Sequence, residues 1–296
     1  MEPSELEKWR KAGKLGSETL AYAKTIVEEG MPLLQLAEKI EAFVESKGAK
    51  FAFPINLSKD DIAAHFSPQH DSKELASGLL KIDLGISIDG YISDCSCSID
   101  LTSDNKYKKL IEASHKALNE AIKLIKPGQE LGVIGKKIQE TISSYGFAPI
   151  VNLSGHELKP YLLHAGLTVP NYDNDSKVKL KEGQVLAIEP FATTGQGMVQ
   201  DGRQSGIYKF EAKHNSRDMF ARDVLKFIEQ EYHELPFSAR WIVKKFGTRA
   251  LFSLKSLEQV NTLHNFHHLV EKTHSPVSQA EATVLVTKDG CEVLAK

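Results

Sequence analysis

Apolar residues recur at helical spacing from Ser4 to Glu29, through Leu6, Trp9, Leu15, Leu20, Ala23 and Ile26, up to Gly30. This predicts a first helix, with Ser4 as its cap and Glu7, three residues on, completing a capping box. A second helix is expected from Leu34 to Ser46, before Gly48, and then a strand at "FAFPINLS". The order then repeats. Helical "NKYKKLIEASHKALNEAIKLI" and "ELGVIGKKIQETISSYG", split by Pro127-Gly128, lead into "APIVNLSG" and "GQVLAIEPF". Helix, helix, strands thus occurs twice, which predicts two related halves around one sheet. From Ser216 to Lys272 the pattern is almost wholly helical, through "RDMFARDVLKFIEQEY", "FSARWIVKKFG" and "LKSLEQVNTLHNFHHLV"; strands return in "QAEATVLVTKDGCEVLA". The expected architecture is an α+β domain made of residues 1–215 and 273–296, with a helical insert at 216–272.

One strand pair carries an anomaly. "KIDLGISIDGYISD", Lys81 to Asp94, has the alternation of a hairpin around the two-residue turn Asp89-Gly90. Ile88 then pairs with Tyr91, Gly85 with Asp94, and Asp83 with Ser96. With a side-chain period of two, Ile82, Leu84, Ile86, Ile88, Tyr91 and Cys95 share one face, while Asp83, Gly85, Ser87, Ile92, Asp94 and Ser96 share the other. Diagonal neighbours lie roughly 7–8 Å apart or less, so both carboxylates can reach one object, and Gly85 opposite Asp94 is expected to leave room for it. Asp is disfavoured in strands, and converging carboxylates repel unless a cation neutralises them. On this stretch alone, a solvated edge and a metal site stand equally.

Composition narrows the classes. The chain has 296 residues, 41% of them hydrophobic, enough for one large domain or two smaller ones. Its 37 basic and 39 acidic residues nearly cancel, which excludes a global field favouring nucleic acid or an anionic membrane. Three cysteines, Cys95, Cys97 and Cys291, form no disulfide framework, no apolar run reaches the ~18 residues of a membrane span, and the start has no secretory pattern. A reducing, cytoplasmic compartment is expected. Cys95 and Cys97 fall on the apolar side of the hairpin as packing residues.

Further ligand types follow along the chain. "NLSGHELKPYLLHAG" supplies His156 and His164, "VLAIEPF" ends an apolar strand on Glu189, and "SQAEATVLV" carries Glu281 inside another. An acid in apolar surroundings needs a partner. The set Asp83, Asp94, His156, Glu189 and Glu281, within "AFPINLS", "IAAHFSP", "KIDLGISIDGYISD", "NLSGHELKPYLLHAG", "AIEPFAT" and "AEATVLVT", resembles the type 2 methionine aminopeptidases over essentially the whole chain. Their pita-bread fold has two related halves around a curved, mainly antiparallel sheet, and a helical insert sets type 2 apart. A chain starting near the first catalytic-domain helix resembles the short form without an N-terminal extension.

The resemblance implies two divalent ions, with Asp83 chelating one, His156 and Glu189 binding the other, and Asp94 and Glu281 bridging both. Oxygen ligands with one imidazole suit Co, Mn, Fe or Zn. It further implies Glu189 as general base, His164 on the scissile carbonyl oxygen, His65 on the amide nitrogen, and a methionine slot near Phe53, Pro54, Leu163 and Phe266. The implied substrates are N-termini of nascent polypeptides with a small second residue. The expected state is a monomer without membrane or specific nucleic acid. Arg240, Lys244, Lys245 and Arg249 in the insert could support a transient ribosome contact, although a solvated helix face is the plainer reading. Ala280 and Ala282 stand where relatives carry Phe and His, and Phe266-His267 where they carry Tyr-Pro, which leaves the pocket and metal preference open. Competing readings are a proline-specific peptidase of the same fold and a non-catalytic binding protein built on it.

Overall fold

The computed structural model of the chain describes residues 1–213 and 218–296. Helix α1 (Pro3–Ile26) begins one residue before Ser4, because Pro3 occupies the first turn, where its missing N–H costs nothing, and the Glu2 N–H donates to Glu5 Oε2 at 2.8 Å. Glu2 and Glu5, not Ser4 and Glu7, therefore cap the helix, and it ends at Ile26, short of Glu29. Helix α2 (Leu33–Ser46) follows, then strands β1 (Lys50–Lys59), β2 (Ile62–Ala64), β3 (Leu79–Ile88) and β4 (Tyr91–Asp100).

Strands β1, β3 and β4 form one antiparallel sheet in that order. The hairpin has the expected register, Ile88 opposite Tyr91, Gly85 opposite Asp94 and Asp83 opposite Ser96. Asp89 and Gly90 both have positive φ, 51° and 87°, as a type I′ turn requires. Ile82, Leu84, Ile86 and Cys95 bury against Leu20, Leu36, Ile40 and Val44 of α1 and α2. Each buried aliphatic side chain stabilises by about 1.5–3 kcal/mol. A one-residue slip would trade these side chains for the two aspartates, so the register is strongly specified.

The second half repeats the scheme with α3 (Lys108–Ile122), α4 (Leu131–Ser144), β5 (Ala148–Pro149), β6 (Ser154–Leu158), β7 (Thr168–Pro170), β8 (Val185–Ile188) and β9 (Phe191–Thr193). The long β10 (Val199–Phe210) leads to the segment containing α5 (Met219–Tyr232), β11 (Phe237–Ser238), α6 (Ala239–Phe246) and α7 (Ala250–Gln259). The helical expectation fails after α7. Residues Leu263–Glu271 form strand β12, paired with β10 and β2. Asn261, at φ 56°, takes the left-handed conformation that Asn tolerates and stops the helix, and long-range pairing then overrides the ambiguous "LHNFHHLV" pattern. The expected start of the insert at 216 lies outside the described residues.

Strands β13 (Val277–Gln279), β14 (Ala282–Val286) and β15 (Cys291–Ala295) complete the chain. The second large sheet has the order β15-β14-β8-β6-β7, with α3 and α4 packed on its apolar face through Leu118, Ile134, Ile138, Leu186, Ile188 and Val284. The halves meet where Ser96 bridges Glu281 and the Thr283 hydroxyl accepts from Asp94 N–H and donates to Asp94 O, both at 2.7 Å. The seam brings an acid from each half side by side. Among the described residues no helix is long and apolar enough to cross a membrane.

Candidate metal centre

Strand register gathers the acids. Ala282 pairs with Ile188, so Glu281 and Glu189 leave neighbouring strands at the same level, and His156 pairs with Ala187 one strand further. Ligand atoms of Asp94, His156 and Glu281 all lie within 4.8 Å of one another. His156 Nε2 is 3.6 Å from Asp94 Oδ2 and 3.8 Å from Glu189 Oε1. Asp83 joins from the adjacent strand, its Oδ2 accepting from Gln279 Nε2 at 3.4 Å. Asp94, His156 and Glu281 thus form one close group, with Glu189 beside His156 and Asp83 an electrostatic neighbour of the three other acids.

Electrostatics gives this cluster its character. Burial raises the carboxyl of Asp83 to about 7, against the Gln279 hydrogen bond. Burial first, and then neighbouring acids, raise Asp94, Glu189 and Glu281 well above the carboxylate range. Burial also lowers the His156 imidazole to about 3, leaving it neutral and able to ligate. Asp83 Oδ1, Asp94 Oδ1 and Glu281 Oε2 are buried without any hydrogen-bond partner. The fully buried Lys81, in β3, does not answer them: its ammonium donates to the carbonyls of Asp60 and Val277, each at 2.9 Å. Carboxylates this poorly satisfied, with one neutral imidazole, fit hard or borderline divalent cations.

A pH signature follows. In the unfolded chain Asp83 is ionised above about pH 4, whereas in the folded chain it keeps its proton up to about 7. Between those values the folded state binds more protons, so stability falls as pH rises. Chelated protein is expected to melt at steadily lower temperature as pH rises through that window, and added divalent ion to restore most at its upper end. A flat or rising profile in calorimetry would contradict this.

The space expected beside Gly85 is not there. Phe53 lies opposite Gly85 in β1, and a Cβ on Gly85 would overlap the Phe53 ring. The glycine admits an aromatic ring rather than an ion. Gly85→Ala should displace that ring and cost about 1–3 kcal/mol, read by urea unfolding.

Phe53 and Leu163 share a buried cluster with Trp9, Ile92 and Leu235, and Pro54 is buried beside Phe53. Phe266 stands apart on β12, its ring edge-on to His65 at 5.4 Å and to His264 at 4.8 Å. His164, on the loop between β6 and β7, has its ring 4.4 Å from that of His156. Two buried polar residues were not singled out from sequence: Gln279, which donates to Asp83, and Lys81, whose ammonium is held away from the acids by the Asp60 and Val277 carbonyls. A polar Gln two positions before Glu281 in a strand is a readable signal for the first, whereas Lys81 looks like any strand-edge lysine.

Comparison with known proteins accords with this geometry. The description "Metallopeptidase family M24" matches residues 7–251. The methionine aminopeptidase of Methanocaldococcus jannaschii is 41% identical over 298 residues, covering 100% of both chains. The chain belongs to metallopeptidase family M24, among its methionine aminopeptidases. Solved structures are similar throughout: a thermophilic Arx1 at TM-score 0.85 and 15% identity, covering 100% of this chain and 91% of that one. The methionine aminopeptidase of Rickettsia prowazekii follows at 0.72 and 22%, covering 100% and 98%. These likenesses establish the pita-bread fold, and the helices α5 to α7 between β10 and β12 fit the type 2 form.

Proposed function

We propose that this M24 protein removes the N-terminal methionine from nascent proteins and peptides whose second residue is small. The observation that carries the reading is the acid cluster at the seam between the halves, with one buried oxygen each of Asp83, Asp94 and Glu281 unpartnered and His156 against it. In this reading Asp83 would hold one divalent ion, His156 and Glu189 would hold the other, and Asp94 and Glu281 would serve both. Bound there, two ions such as Co, Mn, Fe or Zn would lower the pKa of a shared water and polarise the scissile carbonyl. Glu189, ionised beside the bound cations, takes the proton from the attacking water and passes it to the leaving amine. Its backbone carbonyl accepts from Asn171 Nδ2 at 3.2 Å, which steadies the loop that carries it.

His65 has a defined tautomer. Its Nδ1 lies 3.1 Å from the carbonyl of His267, which can only accept, so Nδ1 carries the proton. Burial lowers this imidazole to about 4, so at neutral pH Nε2 is a bare acceptor, suited to the N–H of the scissile amide. His164 donates to the carbonyl oxygen as negative charge develops. Phe53, Pro54 and Leu163 offer apolar walls for the methionine side chain, with Phe266 at the margin. His164→Ala is expected to lower kcat by about 10²–10³, as for loss of an oxyanion donor, with KM for a Met-Ala peptide nearly unchanged; steady-state kinetics at saturating metal decides.

The division into a catalytic body of 1–215 with 273–296 and an insert at 216–272 is part of the proposal. Its support is the separate core of Val224, Ile228, Phe237, Ile242, Leu254 and Leu257, although β12 belongs with the sheet. Lys244, Lys245 and Arg249 lie exposed, available for a transient ribosome contact. Arg240 is not: it is buried against Glu41, so the solvated-face reading fails for this residue. A cytoplasmic monomer acting on nascent chains completes the reading. Release of methionine from Met-Gly and Met-Ala peptides tests it, and preference for Xaa-Pro peptides would overturn it.

A further inference from the structure

We propose that Arg240, reaching out of the segment between β10 and β12, is a positioning residue for His65. Glu41 of α2 and Arg240 of α6 are both buried, at 7% and 5% exposure. Arg240 Nη1 and Nη2 each donate to a Glu41 oxygen at 2.7 Å, and Trp241 Nε1 donates to Glu41 Oε1 at 2.7 Å. The third guanidinium nitrogen, Nε, donates away from this pair to the carbonyl of Pro68 at 3.0 Å. A buried ion pair adds little stability over apolar packing of similar shape, so the planar fork with a third direction has a geometric use.

Pro68 belongs to the strap His65–Gln69. His65 sits at φ 66°, a left-handed conformation that costs a non-glycine residue about 1 kcal/mol or more and persists only where its surroundings impose it. Three successive carbonyls of the strap are each held. Phe66 O accepts from Leu57 N–H at 2.7 Å, Ser67 O from Gln69 Nε2 at 3.1 Å, and Pro68 O from Arg240. Gln69 Nε2 also donates to Ser205 O at 2.8 Å, and Ser205 Oγ to Phe266 O at 2.8 Å, which ties the strap to β10 and β12. Arg240 is the anchor on the α2 side, and through Glu41 it fixes the strap against that helix. Without it the Pro68 carbonyl is freed, and the strained turn at His65 can relax and move Nε2 off the scissile amide.

The inference rests on reading His65 as a substrate contact, and a double-mutant cycle separates the two. Kinetics on a Met-Ala peptide would be measured for Arg240→Lys, Arg240→Leu, His65→Ala and the doubles, with Mn²⁺ binding by calorimetry for each. Arg240→Lys keeps a cation beside Glu41 but loses the fixed fork, and it serves if the Leu variant fails to fold. The expected result is a loss of about tenfold to a hundredfold in kcat/KM from either Arg240 variant, carried by kcat. In the His65→Ala background the same change should cost less than about twofold, because coupled residues are not additive. Mn²⁺ affinity should be unchanged, and the melting shift should be equal in both backgrounds. Equal losses of activity in both backgrounds, or weakened Mn²⁺ binding, would make Arg240 a structural residue only. If His65→Ala alone retains full kcat/KM, the reading of His65 falls and the positioning role with it.

Discussion

Glu189→Gln is expected to reduce kcat on a Met-Ala peptide by about 10²–10⁴, the usual contribution of a positioned general acid or base. Gln is close in shape, so the peptide slot should persist and KM should change little. Glu189 lies directly after β8, in a buried site with Asp94 and Asp83 as its electrostatic neighbours. In the chelated fold burial keeps Glu189 protonated although it ionises in the unfolded chain, and Gln avoids that cost, so chelated Glu189→Gln protein should melt higher than chelated wild type at neutral pH. Opposite signs for turnover and stability are what a functional, electrostatically strained acid predicts. Retention of full kcat would remove Glu189 as the base.

Asp94→Asn should act on the metal itself. Asp94 is 3% exposed, has one oxygen without a partner, and lies among Asp83, Glu281 and His156. As the proposed bridge it serves both ions, so calorimetric titration of the chelated variant should show fewer than two tight Mn²⁺ equivalents. Turnover should fall by more than the roughly 10–100-fold typical of residues one shell out. The backbone bonds between Asp94 and Thr283 do not involve the carboxylate, so the seam should survive and circular dichroism stay native. Two undiminished metal equivalents would exclude Asp94 as a ligand.

The parts of the site legible in sequence were those set by local rules. Asp89-Gly90 determines its own turn, the turn determines the register, and alternation then assigns Asp83 and Asp94 to one face and Cys95 to the core. What was misread depended on partners remote in the chain. Gly85 seemed a cavity until Phe53, on another strand, filled it. Arg240 read as surface because its partner Glu41 lies 199 residues away. Strand β12 read as helix because its histidines carry no clear period, and its pairing with β10 and β2 makes the choice. The Lys81 ammonium is satisfied by two carbonyls that no local pattern announces.

The most direct test of the central claim is methionine release from Met-Gly and Met-Ala peptides by chelated protein, before and after adding back Co, Mn, Fe or Zn, with Xaa-Pro peptides in parallel. The buried acid cluster predicts no release after chelation, recovery with divalent ion, and preference for the methionyl peptides. Cleavage that survives chelation, or preference for Xaa-Pro, would contradict it.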